Sequence, residues 1–252
     1  MRAQSVHSIW SDGDLFIPRY RPMRHGAWEL RIAPLLLVPG YWSETVLMAE
    51  TPALVRGDRA WMSITPLELE SQMIGIRAAF GHVLVFGLGM GWAAAATAAR
   101  PEVTAVTVVE RDREVLELVS ALDPFAQLPE PARAKVRVIE GDAFAYRPDR
   151  AVDLLMPDIW LPMLEDGRLD EVRRMQANVG AAGIYFWTQE LEIARHAVAA
   201  GRPLDDAGLA ATVAELGLPL IGLDHPGYAD KVVAVARRWM RDRWLPGSAA
   251  PW

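Results

Sequence analysis

Val85-Phe86-Gly87-Leu88-Gly89-Met90-Gly91-Trp92 is the stretch on which the fold turns. Three glycines alternate where an apolar run gives way to an alanine-rich one. Upstream, His82-Val83-Leu84-Val85-Phe86 is continuously apolar after His82, as expected of a strand buried on both faces. Downstream, Trp92 to Ala99 reads as a helix. A Gly-rich bend between strand and helix lets the backbone turn sharply and approach a ligand, because no Cβ intervenes. The helix start then offers unpaired N–H groups to an anionic partner.

Working outward, the same rhythm repeats. Val103–Val109, Lys135–Ile139, Val152–Met156 and Ala181–Trp187 are strand-like runs. Asp112–Ala121, Arg168–Val179, Glu190–Ala200 and Leu204–Leu216 carry helical spacing, with Asp112 as an N-cap. Alternation of this kind implies a parallel sheet covered on both faces. Leu218–Leu223 and Lys231–Ala236, joined by Asp224-His225-Pro226-Gly227, suggest a closing antiparallel hairpin. His82 is expected at the surface, opening its strand.

Residues 1–65 read differently. Short apolar runs are broken by turn formers such as Ser11-Asp12-Gly13-Asp14, Pro34, Pro39-Gly40 and Gly57-Asp58. Ala27-Trp28-Glu29-Leu30-Arg31-Ile32 alternates with period two, and Val46–Ala49 and Arg59–Ile64 suggest further short strands. Thr65-Pro66 then opens a helix. The expected fold is therefore α/β: a Rossmann-like, doubly wound, mostly parallel sheet over residues 66–240 with a terminal antiparallel hairpin. A small N-terminal β unit over 1–65 precedes it, and a loose tail over 241–252 follows.

The ligands of open α/β sheets lie beyond the carboxyl ends of the strands. Four signals in chain order fall on that edge. After the glycine loop, Glu110 stands 19 residues beyond Gly91 at the end of the second strand, placed to accept from both hydroxyls of a ribose. Glu140-Gly141-Asp142-Ala143 ends the third strand, where Asp142 can accept from an adenine amino group and the Ala143 N–H can reach a ring nitrogen. Asp158 ends the fourth. A dinucleotide fingerprint needs glycine or alanine at the sixth position, and counting from Gly87 that position is Trp92.

The G-x-G-x-G loop, Glu110, the Gly141-Asp142-Ala143 turn and Asp158 resemble class I S-adenosylmethionine-dependent methyltransferases. Residues 67–160, with the front β unit, resemble more narrowly the spermidine synthase-like branch. That resemblance implies S-adenosylmethionine as cofactor. It places Gly87, Leu88, Gly89, Met90 and Gly91 against the methionine part, Glu110 with Arg111 at the ribose, and Asp142 with Ala143 at the adenine. Asp158 falls beside the reacting amine or hydroxyl, and Gln72 near the donor. Trp160 and Trp92 are pocket candidates. Trp61 and Trp187 also fall near the ligand edge, and any of the four can equally be a core filler.

Two departures bear on the acceptor. Polyamine synthases carry Asp where this chain has Met90. They also carry a second acid soon after the catalytic Asp, where this chain has Ile159-Trp160-Leu161-Pro162. Methyl transfer to a less cationic small molecule or peptide is therefore favoured over spermidine formation. Aminopropyl transfer from decarboxylated S-adenosylmethionine and a non-catalytic binding module are the alternatives, with hydride transfer a distant fourth.

Composition bounds the rest. The 252 residues are 52% apolar with net charge −6, so a core forms and general affinity for nucleic acid is not expected. No cysteine is present, which excludes disulfides, thiolate nucleophiles and Cys-ligated metal. The histidines show no paired metal spacing. The opening residues lack an apolar signal core, and no run is long enough to span a bilayer, so a cytoplasmic protein is expected. Ten of the 21 aromatic residues are Trp, which suggests a homodimer through the β unit.

Overall fold

The structure, a computed structural model, describes residues 3, 5 and 15–252. The expected turn at Ser11-Asp12-Gly13-Asp14 lies outside them.

Two sheets form. The first is antiparallel in the order β1 (Met23–His25), β2 (Trp28–Val38), β3 (Val46–Arg56), β4 (Arg59–Ser63). β2 and β3 are 11 residues each, longer than the alternation at Ala27–Ile32 suggests. Pairing runs on from Trp28↔Arg56 to Val38↔Val46, so Leu35, Leu36 and Leu37 extend β2 despite being exposed.

The second sheet is parallel in the order β7 (Val136–Glu140), β6 (Val103–Glu110), β5 (Gly81–Phe86), β8 (Leu154–Pro157), β9 (Gly183–Ile184). The chain leaves β5 toward β6 and β7 on one side, then crosses to β8 and β9 on the other. That reversal at β5 is the switch point at which Rossmann-like sheets open a crevice. Val83 to Phe86 are all buried, as the continuous apolar run requires. Between the strands lie α1 (Pro66–Ala78), α2 (Trp92–Ala98), α3 (Arg113–Leu122), the single turn α4 (Glu130–Arg133) and α5 (Arg168–Val179), and after β9 follow α6 (Gln189–Ala199), α7 (Asp206–Leu216) and α8 (Tyr228–Val235). Asp112 caps α3, accepting from the Glu114 N–H at 3.0 Å. No helix among the described residues is long and apolar enough to cross a membrane.

The terminal antiparallel hairpin is not formed. Lys231–Ala236 belongs almost wholly to α8, because Tyr228, Val232 and Val235 recur at helical spacing and bury one face. Gly227, at φ 68°, starts that helix. Of Leu218–Leu223 only Leu220 bridges the sheet, in parallel to Ile184, and Pro219 has no N–H to extend a ladder. The sheet thus ends parallel.

His82 is buried, not at the surface. Its ring nitrogens meet the Ala151 carbonyl at 2.8 Å and Thr107 Oγ1 at 2.9 Å, so burial leaves neither unpaired. The strand expected at Ala181–Trp187 keeps a ladder only at Gly183–Ile184, but the Tyr185 and Trp187 N–H groups still donate to Leu155 and Pro157 of β8 at 3.0 Å each. Residues 241–252 form no helix or strand, and some of their side chains make contacts. Trp244 and Trp252 meet edge to face at 5.8 Å, Arg237 lies 5.1 Å over Trp252, and Arg243 donates to the Leu164 carbonyl.

Candidate active site

A cavity of about 360 Å3 opens at the carboxyl ends of β5, β6, β7 and β8. That is within the usual range for a small-molecule site. Its floor carries the residues singled out by the sequence: Gly87, Leu88, Gly89, Glu110, Arg111, Asp142, Ala143 and Asp158.

Gly87 sits at φ 96°, a conformation that L side chains rarely adopt. A Cβ there would stand 2.0 Å from the Asp158 carbonyl oxygen. Glycine is thus what lets the loop after β5 pass against the end of β8. Glu110 fixes the same loop from the other side. Its carboxylate accepts from the Leu88 N–H at 3.0 Å and from the Asp112 N–H at 2.8 Å. A carboxylate has about four acceptor positions, so two remain for a ligand. Asp142 accepts from the Phe144 N–H at 2.9 Å, closing the turn after β7 while facing the same space.

Met90 and Gly91 do not line the cavity. Met90 is fully buried behind the wall, where its N–H points at Met62 Sδ, 3.0 Å away. Gly91 is small for packing: a Cβ there would meet Pro124 at 2.9 Å.

Gln72 and Asp158 are joined directly, Gln72 Nε2 donating to Asp158 Oδ2 at 2.7 Å. α1 makes this possible. It is buried on most sides, and its Glu70, Ser71 and Gln72 side chains each pair with a different neighbour. Glu68 and Gln72, four apart, share the face toward the cavity. Glu70 accepts from the Trp42 and Ser43 N–H groups at 2.8 and 3.1 Å. Ser71 Oγ accepts from Trp187 Nε1 at 2.9 Å. Burial pushes Asp158 up to about 7, against the lowering effects of the Gln72 hydrogen bond and of Arg168. Glu68 is raised well above the carboxylate range, first by burial and then by the charge of Asp158.

Trp92, Trp61, Trp160 and Trp187 all reach the cavity. Trp92 is also one of the largest fully buried side chains, so it fills core and wall together. Trp160 donates to Glu171 Oε2 at 2.5 Å and carries the Arg168 guanidinium 4.1 Å over its ring.

The remaining wall comes from the antiparallel sheet and was not visible in the sequence. Trp28, Leu54, Arg56 and Met62 line the cavity beside Trp61. The Trp28 and Trp61 rings meet edge to face at 5.3 Å, and Arg56 lies 5.4 Å over Trp28. Trp28 Nε1 donates to Asp112 Oδ2 at 2.9 Å, and the Ala27 N–H donates to Glu114 at 2.8 Å. These bonds clamp the front sheet onto the start of α3. Glu68 was also missed, although its i, i+4 relation to Gln72 was readable.

A second acidic cluster lies behind the site. Glu190 is fully buried and accepts from Tyr185 at 2.9 Å and Tyr41 at 3.1 Å. Burial pushes Glu190 and its neighbour Glu192 each up to about 7. Such a group stays protonated in the folded chain at pH values where the unfolded chain ionises it. Stability is therefore expected to fall as pH rises from the ordinary carboxylate range to about 7, by roughly 1 kcal/mol per pH unit per group. His196 and His225, depressed by burial, act in the opposite sense. The test is the difference in thermal midpoint between wild type and Glu190→Gln. It should narrow as pH rises from 5 to 8, and parallel profiles would contradict the assignment.

No family model and no curated protein matches the chain. Among solved structures it is similar to the glycopeptide N-methyltransferase MtfA in complex with S-adenosylmethionine. The identity is 22% over 44% of this chain and 43% of that one, with a TM-score of 0.35. A DhpI–SAM–HEP complex is 19% identical over 44% of this chain and 46% of that one, TM-score 0.32. The methyltransferase domain of a bacterial CtHen1 is 21% identical over 42% and 59%, TM-score 0.33. The chain spans less than two thirds of each of these, and its fold is defined by its own sheet order.

Proposed function

We propose that the chain is an S-adenosylmethionine-dependent methyltransferase acting on a small-molecule or peptide acceptor. One observation carries this reading. The glycine loop, Glu110, Asp142-Ala143 and Asp158 come from the tips of four adjacent parallel strands and line one cavity.

The donor set fits such a nucleoside. Glu110 keeps two acceptor positions for the ribose hydroxyls, and Asp142 with the Ala143 N–H offers an acceptor and a donor to an adenine edge. Gly87 and Gly89 leave the backbone bare for the methionine tail. When bound, S-adenosylmethionine supplies a methyl group already activated on a sulfonium. The chain's own task is then alignment and proton management. Asp158, held by Gln72, is the group that receives or orients the acceptor's proton. Trp28, Trp61 and Trp160 narrow the cavity and exclude water from the transfer.

Calorimetry with S-adenosylhomocysteine tests the reading. Wild type is expected to bind. Glu110→Ala and Asp142→Ala are each expected to weaken binding at least tenfold, since a hydrogen bond to a charged group contributes about 1.5–3 kcal/mol. Unchanged affinity in both variants would contradict it.

A further inference from the structure

Glu68 has no place in the reading above. The residue is 7% exposed and lines the cavity; Ser71 Oγ donates to its backbone carbonyl at 2.9 Å, but no hydrogen bond or ion pair to its carboxyl group is found among the described residues. A buried carboxyl group without a partner is costly unless something meets it. Its one close electrostatic neighbour is Asp158, another acid. Glu110 adds a further negative influence on Asp158. Arg168, a cation acting on Asp158, stacks on Trp160 and donates from Nη2 to the Pro162 carbonyl at 2.8 Å, its Nε and Nη1 have no hydrogen-bond partner among the described residues, and it bonds to neither acid.

The sheet order separates this group of residues from the nucleoside's. Glu110 and Asp142 stand on β6 and after β7, to one side of β5. Asp158 stands beyond β8, on the other, and α1 brings Glu68 and Gln72 to it.

We infer that Glu68 and Asp158 together form an acceptor subsite for a single positively charged nitrogen, so that the methyl acceptor is a monoamine rather than an alcohol or a carbon acid. Two neighbouring acids in one cavity share one proton more readily than both ionise, and the pair then carries one negative charge. One ammonium matches it; a dication does not. The indole N–H groups of Trp160 and Trp187 are already used by Glu171 and Ser71, so those residues offer a ligand only their rings, which suit a cation.

The step balances. The bound ammonium gives one proton to the carboxylate of Asp158, breaking N–H and forming O–H. The freed amine lone pair forms the N–CH3 bond as S–CH3 breaks, and the sulfur keeps the bonding electrons. The product is a methylated ammonium ion and a neutral thioether, and Asp158 returns its proton to water.

The reaction rests on the methyl-transfer reading, but the subsite does not, and the experiment keeps them apart. Benzylamine and its neutral analogue benzyl alcohol are titrated calorimetrically at pH 7.5, into protein alone and protein saturated with S-adenosylhomocysteine. Benzylamine is expected to bind at least tenfold more tightly than the alcohol. Glu68→Gln is expected to lose at least tenfold in benzylamine affinity while S-adenosylhomocysteine affinity stays within twofold. Glu68→Asp, which retains the charge, should recover part of the loss. Equal response to amine and alcohol, or no binding of either, overturns the proposal. So does a Glu68→Gln protein that weakens only toward S-adenosylmethionine, which would make the sulfonium the cation served. Amine selectivity without nucleoside binding would uphold the subsite and reject the methyl-transfer reading.

Discussion

Asp158→Asn is expected to slow methyl transfer by about 100- to 10,000-fold, the usual range for removing a positioned proton acceptor. Nucleoside affinity should stay within about threefold, because the ribose and adenine contacts assigned above belong to other strands. Asparagine keeps the shape and can still pair with Gln72, so a large loss reports the carboxylate rather than a collapsed wall. The pH profile adds a second readout. With Asp158 pushed up to about 7, the base is mostly protonated at pH 6 and mostly ionised at pH 8. The wild-type rate should climb about tenfold per pH unit below 7 and level off above it. The residual Asp158→Asn rate should lack that climb. Single-turnover transfer to an amine acceptor, run across pH 5.5–8.5, measures both. A variant within threefold of wild type would remove Asp158 from the chemistry.

Gly87→Ala should have the largest effect on the scaffold. A methyl group there meets the Asp158 carbonyl oxygen at 2.0 Å, and φ of 96° is strained for any residue with a Cβ. Backbone cannot swing aside as a side chain tip can. A cost of about 3 kcal/mol or more follows from the strain alone plus a forced shift, or roughly 10 °C in thermal midpoint. The shift also moves Asp158, so nucleoside binding and turnover should fall together. Gly89→Ala is the control. At φ 51° it lies in the left-handed region, a cost of about 1–2 kcal/mol for an L residue, and its added methyl meets only the Met62 side chain, 2.2 Å from Sδ, which is flexible and can move. Gly89→Ala should therefore be the milder of the two. Differential scanning calorimetry on both variants decides it, and equal midpoints would contradict the steric account of Gly87.

The parallel sheet was readable because its strands are buried on both faces, and Val83–Phe86 and Val103–Val109 advertise that as unbroken apolar runs. Strand ends converge on one edge of such a sheet, so Glu110, Asp142 and Asp158 could be placed together without any contact being known. Lys231–Ala236 misled because β-branched content was weighed above spacing, while Tyr228, Val232 and Val235 already kept a helical face. His82 misled because a polar residue at a strand start ordinarily faces water, and its two ring partners come from β6 and from the approach to β8. The wall of Trp28, Arg56 and Met62 depends on contacts across more than 80 residues, Trp28 to Asp112 and Ala27 to Glu114, which no local pattern encodes. Glu68 differs from these. One helical turn separates it from Gln72, and spacing alone was enough to bring it to the same face.

A crystal structure of the chain with S-adenosylhomocysteine bears most directly on the central claim. The expected density places the ribose hydroxyls on Glu110, the adenine at Asp142 and Ala143, and the sulfur facing Asp158 across the bend at Gly87–Gly89. Density for the nucleoside at any other surface, or an unchanged cavity in crystals soaked at saturating concentration, would contradict it.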